Sequence, residues 1–245
     1  MFPIRNAVPS RYPPVITWTL IAINVLFLLI ENSLDPLELE EFLSSFAVIP
    51  ARYSYLIGHG ADLSVADFLP FFTMMFLHGG WLHLILNMWT LWLFGSTVED
   101  RLGHGRYLVF YVVCGVAAAV AHVVFNLTSQ VPVLGASGAI AGVLGCYMRL
   151  FPLARVIVVV PIIFIPLFFE IYAFVFVGIW FLLQILQGTA ELFMPSTGGG
   201  VAWWAHVGGF VVGFLLGPAL RQPEPRYRAY YPDEGELGFN TSGRP

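Results

Sequence analysis

The chain has 245 residues, 58% of them hydrophobic and 11% charged, with a formal net charge of −4 and a mean hydropathy of +0.79. Several apolar runs exceed about 17 residues, which excludes an ordinary soluble domain and predicts a polytopic membrane protein. All 11 basic residues are arginines that form no basic face, so nothing points to nucleic acid, and the two cysteines, Cys114 and Cys146, lack the spacing of a metal or redox site.

Residues 1–13 form a short polar start with Arg5 and Arg11. The run from Val15 to Ile30 is too long for a signal-peptide core, and Glu31-Asn32 follows without a small-x-small cleavage site. It is expected to be a retained first span, beginning near Pro14. Residues 31–80 are first acidic (Glu31, Asp35, Glu38, Glu40, Glu41) and then mixed apolar and aromatic, which predicts a long first loop with short interfacial helices. A second span is expected over Trp81–Thr97, followed by the polar turn Glu99–Arg106, and a third over Tyr107–Phe125. The loop from Asn126 to Leu134 is uncharged; its Asn126-Leu127-Thr128 triplet has the form of a glycosylation sequon.

The fourth span starts near Ser137 and ends near Leu150, which is too short to cross ~30 Å of hydrocarbon. Its start must lie below the membrane surface, shielded by neighbours or reached by water. The stretch Val133–Cys146 places the Ser137 hydroxyl at a helix N-terminus, among free backbone N–H donors, and repeats small residues at Ser137, Ala141 and Gly145. Taken alone, it also fits a pure helix-packing motif. Val156–Pro166 is β-branched, with Pro161 and Pro166, and reads as a strand-like interfacial excursion. A fifth span is expected over Phe169–Gln187, with Glu170 at its mouth, then a loop over 188–200, a sixth span over Val201–Leu220, and a disordered tail over 221–245. The expected organisation is therefore a cytoplasmic N-terminus (1–13), a six-span all-α membrane domain (14–220) and a cytoplasmic tail (221–245). Arginines concentrate in alternate connections, so the positive-inside rule puts both termini in the cytoplasm.

Polar side chains in spans are costly and point to function. His83 and Asn87 stand four apart and share one face of span 2; His206 lies near the start of span 6. With spans 2, 4 and 6 parallel, these residues and Ser137 come to similar depth. Gly209, Gly213 and Gly217 form a small face on span 6 that is expected to pack on the Ser137–Ala141–Gly145 face of span 4 and bring His206 beside Ser137. A serine nucleophile needs a base, which His206 can supply, and a tetrahedral oxyanion needs donors, available from the Ser137 N–H, His83 and Asn87. With no carboxylate in the outer part of any span, the pattern predicts a Ser–His dyad; Glu191, in the fifth loop, is a weak third candidate and fits a solvated loop charge better. His83 and Asn87 also fit a simple interhelical hydrogen bond, His78 a helix cap, and His122 a structural histidine. His59 and His104 are loop residues. His78 and His83 do not have His-Glu-x-x-His spacing, so no metal site is expected.

These residues resemble the rhomboid family of intramembrane serine proteases. The His-x4-His-x3-Asn pattern is met by His78, His83 and Asn87, Gly-x-Ser-Gly by Gly135, Ser137 and Gly138, Ala-His-x-x-Gly-x-x-x-Gly by Ala205, His206, Gly209 and Gly213, and Glu-x-Arg by Glu99 and Arg101. The resemblance implies a six-helix rhomboid-like bundle of bacterial or archaeal type with a long first outer loop. It implies Ser137 as nucleophile, His206 as base, and an oxyanion site from His83, Asn87 and the Ser137 N–H, without metal or cofactor. Glu99 and Arg101 would be structural, with His78, Gly135, Gly138 and Gly209 in support. Span 5, around Trp180, would border a lateral gate. Partners would be the lipid bilayer and single-span membrane-protein substrates cut near the outer face of a prokaryotic inner membrane. The Trp-Arg pair that many members carry in the first outer loop is not present; Arg52 is the candidate for its place. The competing reading is a catalytically silent rhomboid-like protein that binds client transmembrane helices.

Overall fold

A computed structural model of the chain describes residues 1–60, 62, 64–162, 165–193 and 201–222. The described residues form a helical membrane bundle. Its long rods are α1 (Val15–Glu31), a rod made of α5 (Trp81–Thr90), a π-helical turn (Leu91–Gly95) and α6 (Ser96–Leu102), then α7 (His104–Phe125), α8 (Ser137–Leu150), α9 (Ala173–Phe193) and α10 (Trp203–Leu220). Each of the six expected spans overlaps one of these rods. By length and apolarity α7, α9 and α10 are each able to cross a membrane. With 17 residues α1 extends about 25 Å, and α8 with 14 only about 21 Å, short of the ~30 Å hydrocarbon layer.

The first loop carries the expected short helices: α2 (Pro36–Phe46), α3 (Pro50–Gly58), a 3₁₀ turn (Val65–Phe68), α4 (Pro70–Thr73) and a second 3₁₀ turn (Met74–Phe76). Asp35 caps α2 with a reciprocal capping box through Glu38. Arg52 donates to the Ser44 carbonyl, tying α3 to α2. The chain bends by 83° between Val65–Phe76 and Trp81–Leu102. The bend falls at His78-Gly79-Gly80, where Gly80 has φ +142°, a conformation that excludes most L side chains.

Two features depart from the expectation. The bundle carries a three-stranded antiparallel sheet, β1 (Phe2–Asn6), β2 (Arg155–Ile162) and β3 (Ile165–Tyr172), in that order. The polar start is thus an ordered strand, held to the α5 rod by Trp89 Nε1 donating to the Pro3 carbonyl at 2.8 Å and by Asn6 Nδ2 donating to the Leu93 carbonyl. Second, the fifth rod runs from Ala173 to Phe193, four residues later than expected at its start. Phe169–Tyr172 pairs with Arg155–Val158 instead, because apolarity alone does not separate a strand from a helix and the β-branched partner strand decides. Glu170 therefore sits on β3, where it accepts a hydrogen bond from Arg155 Nη1 at 2.9 Å, not at a helix mouth. The same fifth rod extends to Phe193, so residues 188–193 of the expected loop are helical; residues 194–200 and the tail beyond Gln222 lie outside the described residues.

The core is α8, whose residues Gly138 to Tyr147 are all buried. Its partner α10 approaches through glycine. A Cβ on Gly213 would stand 2.1 Å from the Gly142 carbonyl oxygen, and one on Gly217 would stand 2.4 Å from Cys146 Sγ. On α7, Ala118 packs against Gly138 beside the same contact. The seam on α8 is therefore Gly138–Gly142–Cys146, one residue on from the expected Ser137–Ala141–Gly145 face. Of that expected face, Gly145 also joins the contact, against the Phe210 carbonyl. One residue is about 100° of helix rotation. The shift turns Ser137 and Ala141 out of the seam.

Candidate active site

Ser137 is the first residue of α8, so its own N–H and those of the next residues have no intrahelical acceptor. The loop that delivers it is fixed from the first loop: Val133 and Val48 exchange two backbone hydrogen bonds (3.2 and 2.7 Å), and the Gly135 N–H donates to the Met74 carbonyl at 2.9 Å. Gly135 has φ +118°, and a Cβ there would stand 2.8 Å from His83 Cε1. Glycine is required for both reasons, and the second places the His83 ring directly over this loop.

The stripe Ser137, Ile140, Ala141 and Leu144, turned away from the glycine seam, lines a cavity of about 630 Å³. His83 and Asn87 of α5 and His206 of α10 line the same cavity, as expected from their depth. So do Trp180, Gln184, Glu191 and His122. His78 lies behind this wall, buried. Its N–H is shared between the two Glu31 carboxylate oxygens at 3.2 Å each, its Nε2 accepts from Asn87 Nδ2 at 3.1 Å, and its ring meets that of His83 edge-on with centroids 5.0 Å apart. Asn87 thus uses one amide proton on His78 and keeps the other.

His206 is 8% exposed. Its Nδ1 lies 2.7 Å from Gln184 Oε1, and Gln184 Nε2 donates to the Trp180 carbonyl at 3.0 Å. The indole of Trp180 is tilted against the imidazole with centroids 5.8 Å apart. Ser137 and His206 share the cavity without a hydrogen bond between their side chains among the described residues. Such bonds often tighten only when substrate is present.

Glu191 reaches the cavity, yet the group on His206 Nδ1 is Gln184, about two turns earlier on α9. Sequence reasoning passed over Gln184, although a lone amide inside an apolar run was the available signal. His122, expected to stand alone, also borders the cavity. Glu99 and Arg101 do not. Glu99, 1% exposed, accepts from the N–H groups of Ile16 and Thr17 at 2.8 Å each and from Thr17 Oγ1 at 2.7 Å, capping α1. It also meets His104 Nδ1 at 2.6 Å. The Arg101 guanidinium lies over the Phe151 ring, 5.2 Å from its centroid.

A family model described as Rhomboid domain matches residues 66–223, which include Ser137, His206, His83 and Asn87. The chain is similar to Rhomboid protease GluP of Bacillus subtilis, 33% identical over 143 residues, covering 58% of this chain and 26% of that protein. It is 30% identical over 148 residues to Rhomboid protein 1, mitochondrial, of Saccharomyces cerevisiae, covering 58% of this chain and 39% of that one. It is 36% identical over 144 residues to RHOMBOID-like protein 4 of Arabidopsis thaliana, covering 59% of this chain and 32% of that one. The matched stretch spans well under half the length of each of these three relatives.

Proposed function

The chain belongs to the rhomboid family, and from that premise we propose that it is an intramembrane serine endopeptidase in which Ser137 is the nucleophile and His206 the base. The observation that carries this reading is the convergence of four side chains from three rods on one cavity: Ser137 from α8, His206 from α10, His83 and Asn87 from α5. Ser137 Oγ attacks the carbonyl carbon of the scissile bond as His206 takes its proton. The tetrahedral oxyanion is met by the Ser137 N–H, a ring N–H of His83 and the free amide proton of Asn87. His206 then gives its proton to the leaving nitrogen as the C–N bond breaks, leaving an acyl-enzyme. Water, deprotonated by His206, attacks the ester and frees the new carboxyl end and Ser137. No metal or cofactor takes part.

The substrates are single-span membrane proteins. A helix has no free carbonyl to attack, so the cleaved segment unwinds locally, which small or helix-breaking residues ease. The arginine distribution puts the Ser137 end of α8 toward the outer face and both ends of the helical core in the cytoplasm.

The test is labelling of the detergent-solubilised protein with a fluorophosphonate, together with cleavage of a single-span substrate carrying a helix-destabilised segment. Labelling and cleavage by the wild type, lost in Ser137→Ala and His206→Ala, is the expected result. A folded wild type that neither labels nor cleaves would sink the reading and leave client-helix binding in its place.

A further inference from the structure

We propose that Gln184 is a positioning residue for this reaction: from α9 it holds His206 in the tautomer that leaves Nε2 as the basic nitrogen. This rests on the protease reading above. The Trp180 carbonyl accepts and cannot donate, so the Gln184 group 3.0 Å from it is the NH₂. That fixes the amide orientation and turns Oε1 to His206 Nδ1, 2.7 Å away. Oε1 also only accepts, so Nδ1 carries the hydrogen. A neutral imidazole has one N–H, so the lone pair is on Nε2. A main-chain carbonyl of α9 thereby dictates, through one amide, which ring nitrogen can take the proton of Ser137.

The same bond acts as the reaction proceeds. When His206 takes the serine proton both ring nitrogens become donors, and Oε1 still accepts from Nδ1. Gln184 is 5% exposed and His206 8%, so water competes little for the bond and its strength is that of a buried one. The role is that of the carboxylate in a three-residue hydrolase site, filled by a dipole in place of a charge. The acceptor also comes from a different helix. α9 buries only Ala173, Phe176, Val177, Gln184 and Gly188, so any outward displacement of α9 removes the acceptor from the base.

The experiment compares the full chain in detergent as wild type, Gln184→Leu, which keeps the bulk and loses the acceptor, and Gln184→Glu, which keeps acceptor oxygens. Three quantities are read: kcat and KM for a single-span substrate, the rate of fluorophosphonate labelling, and the ¹⁵N spectrum of labelled histidine, with His206 assigned by its loss in His206→Ala. The expected result for Gln184→Leu is a kcat about 10- to 100-fold lower with KM within twofold. Labelling slows by a similar factor, and His206 changes from the Nδ1–H form to a mixture. Gln184→Glu restores most of the labelling rate. A labelled wild type with an equally labelled Gln184→Leu overturns the role of Gln184 alone, as does a loss confined to KM or a wild-type His206 protonated on Nε2. A wild type that does not label overturns the protease reading and this role with it.

Discussion

Gly209 of α10 lies so close to Gly138 of α8 that a Cβ on it would stand 2.0 Å from the Gly138 carbonyl oxygen. The carbonyl is rigid main chain, so any side chain at position 209 forces the two helices apart. The same contact sets how deep α10 sits, and His206 is one turn earlier on that helix.

Gly209→Ala is therefore expected to lower stability by about 1–3 kcal/mol or more through overpacking, and to reduce activity further than the loss of folded protein explains. A shift of about 1 Å in a reacting group costs on the order of 100-fold. Gly178→Ala on α9, where a Cβ would meet nothing within 4 Å, is the control and leaves both unchanged or slightly improved. Thermal unfolding and kcat measured on the folded fraction decide the matter; a fully active Gly209→Ala would show that the seam does not set the site.

Gly135→Ala acts on the opposite wall. Its φ of +118° is strained for alanine, and the new methyl would press on His83. Displacing one oxyanion donor is worth about 100- to 1,000-fold in kcat. The expected signature is a fall in kcat with little change in KM, and an unchanged kcat would remove His83 from the proposed oxyanion site.

Asn87→Ala should cost a similar factor by removing its amide directly. His78→Ala is expected to cost less, because His78 lies outside the cavity wall and acts by holding Asn87 at 3.1 Å. The double variant should then be no worse than Asn87→Ala alone, since residues joined in one chain of bonds are not additive. Full additivity in kcat would mean that His78 acts independently.

Glu99→Gln tests an anchor remote from the cavity. It replaces a carboxylate oxygen that accepts from α1 donors with an NH₂ that faces them, and a buried mismatch of this kind costs about 1–3 kcal/mol. The melting temperature should fall while kcat of the folded protein is kept. A selective loss of kcat with unchanged stability would contradict the structural role.

Much of this was written along the chain. Apolar run lengths placed the rods, because a helix that faces lipid must be apolar wherever it is exposed. The order of Gly135-x-Ser137-Gly138, His83-x3-Asn87 and Ala205-His206 was enough to name the residues that now share the cavity. The β-branched run after Leu150 announced strands, though not that Phe2–Asn6 would join them or that Phe169–Tyr172 would leave the fifth helix. Strand pairing is a contact between segments far apart in the chain, and local composition does not record the partner.

The rotation of α8 was not legible either. Ser137–Ala141–Gly145 and Gly138–Gly142–Cys146 are both stripes of small residues at the same spacing, and either can receive a glycine helix. Only the close approach of Gly209 and Gly213 selects the second and frees Ser137 to face the cavity. Gln184 followed the same rule: the sequence by itself determined that an amide sits in an apolar helix, while the packing of α9 on α10 decided that it meets His206. Periodicity along one helix specifies which residues share a face. Which neighbour that face meets depends on steric fit between helices, and that exists only once the bundle is assembled.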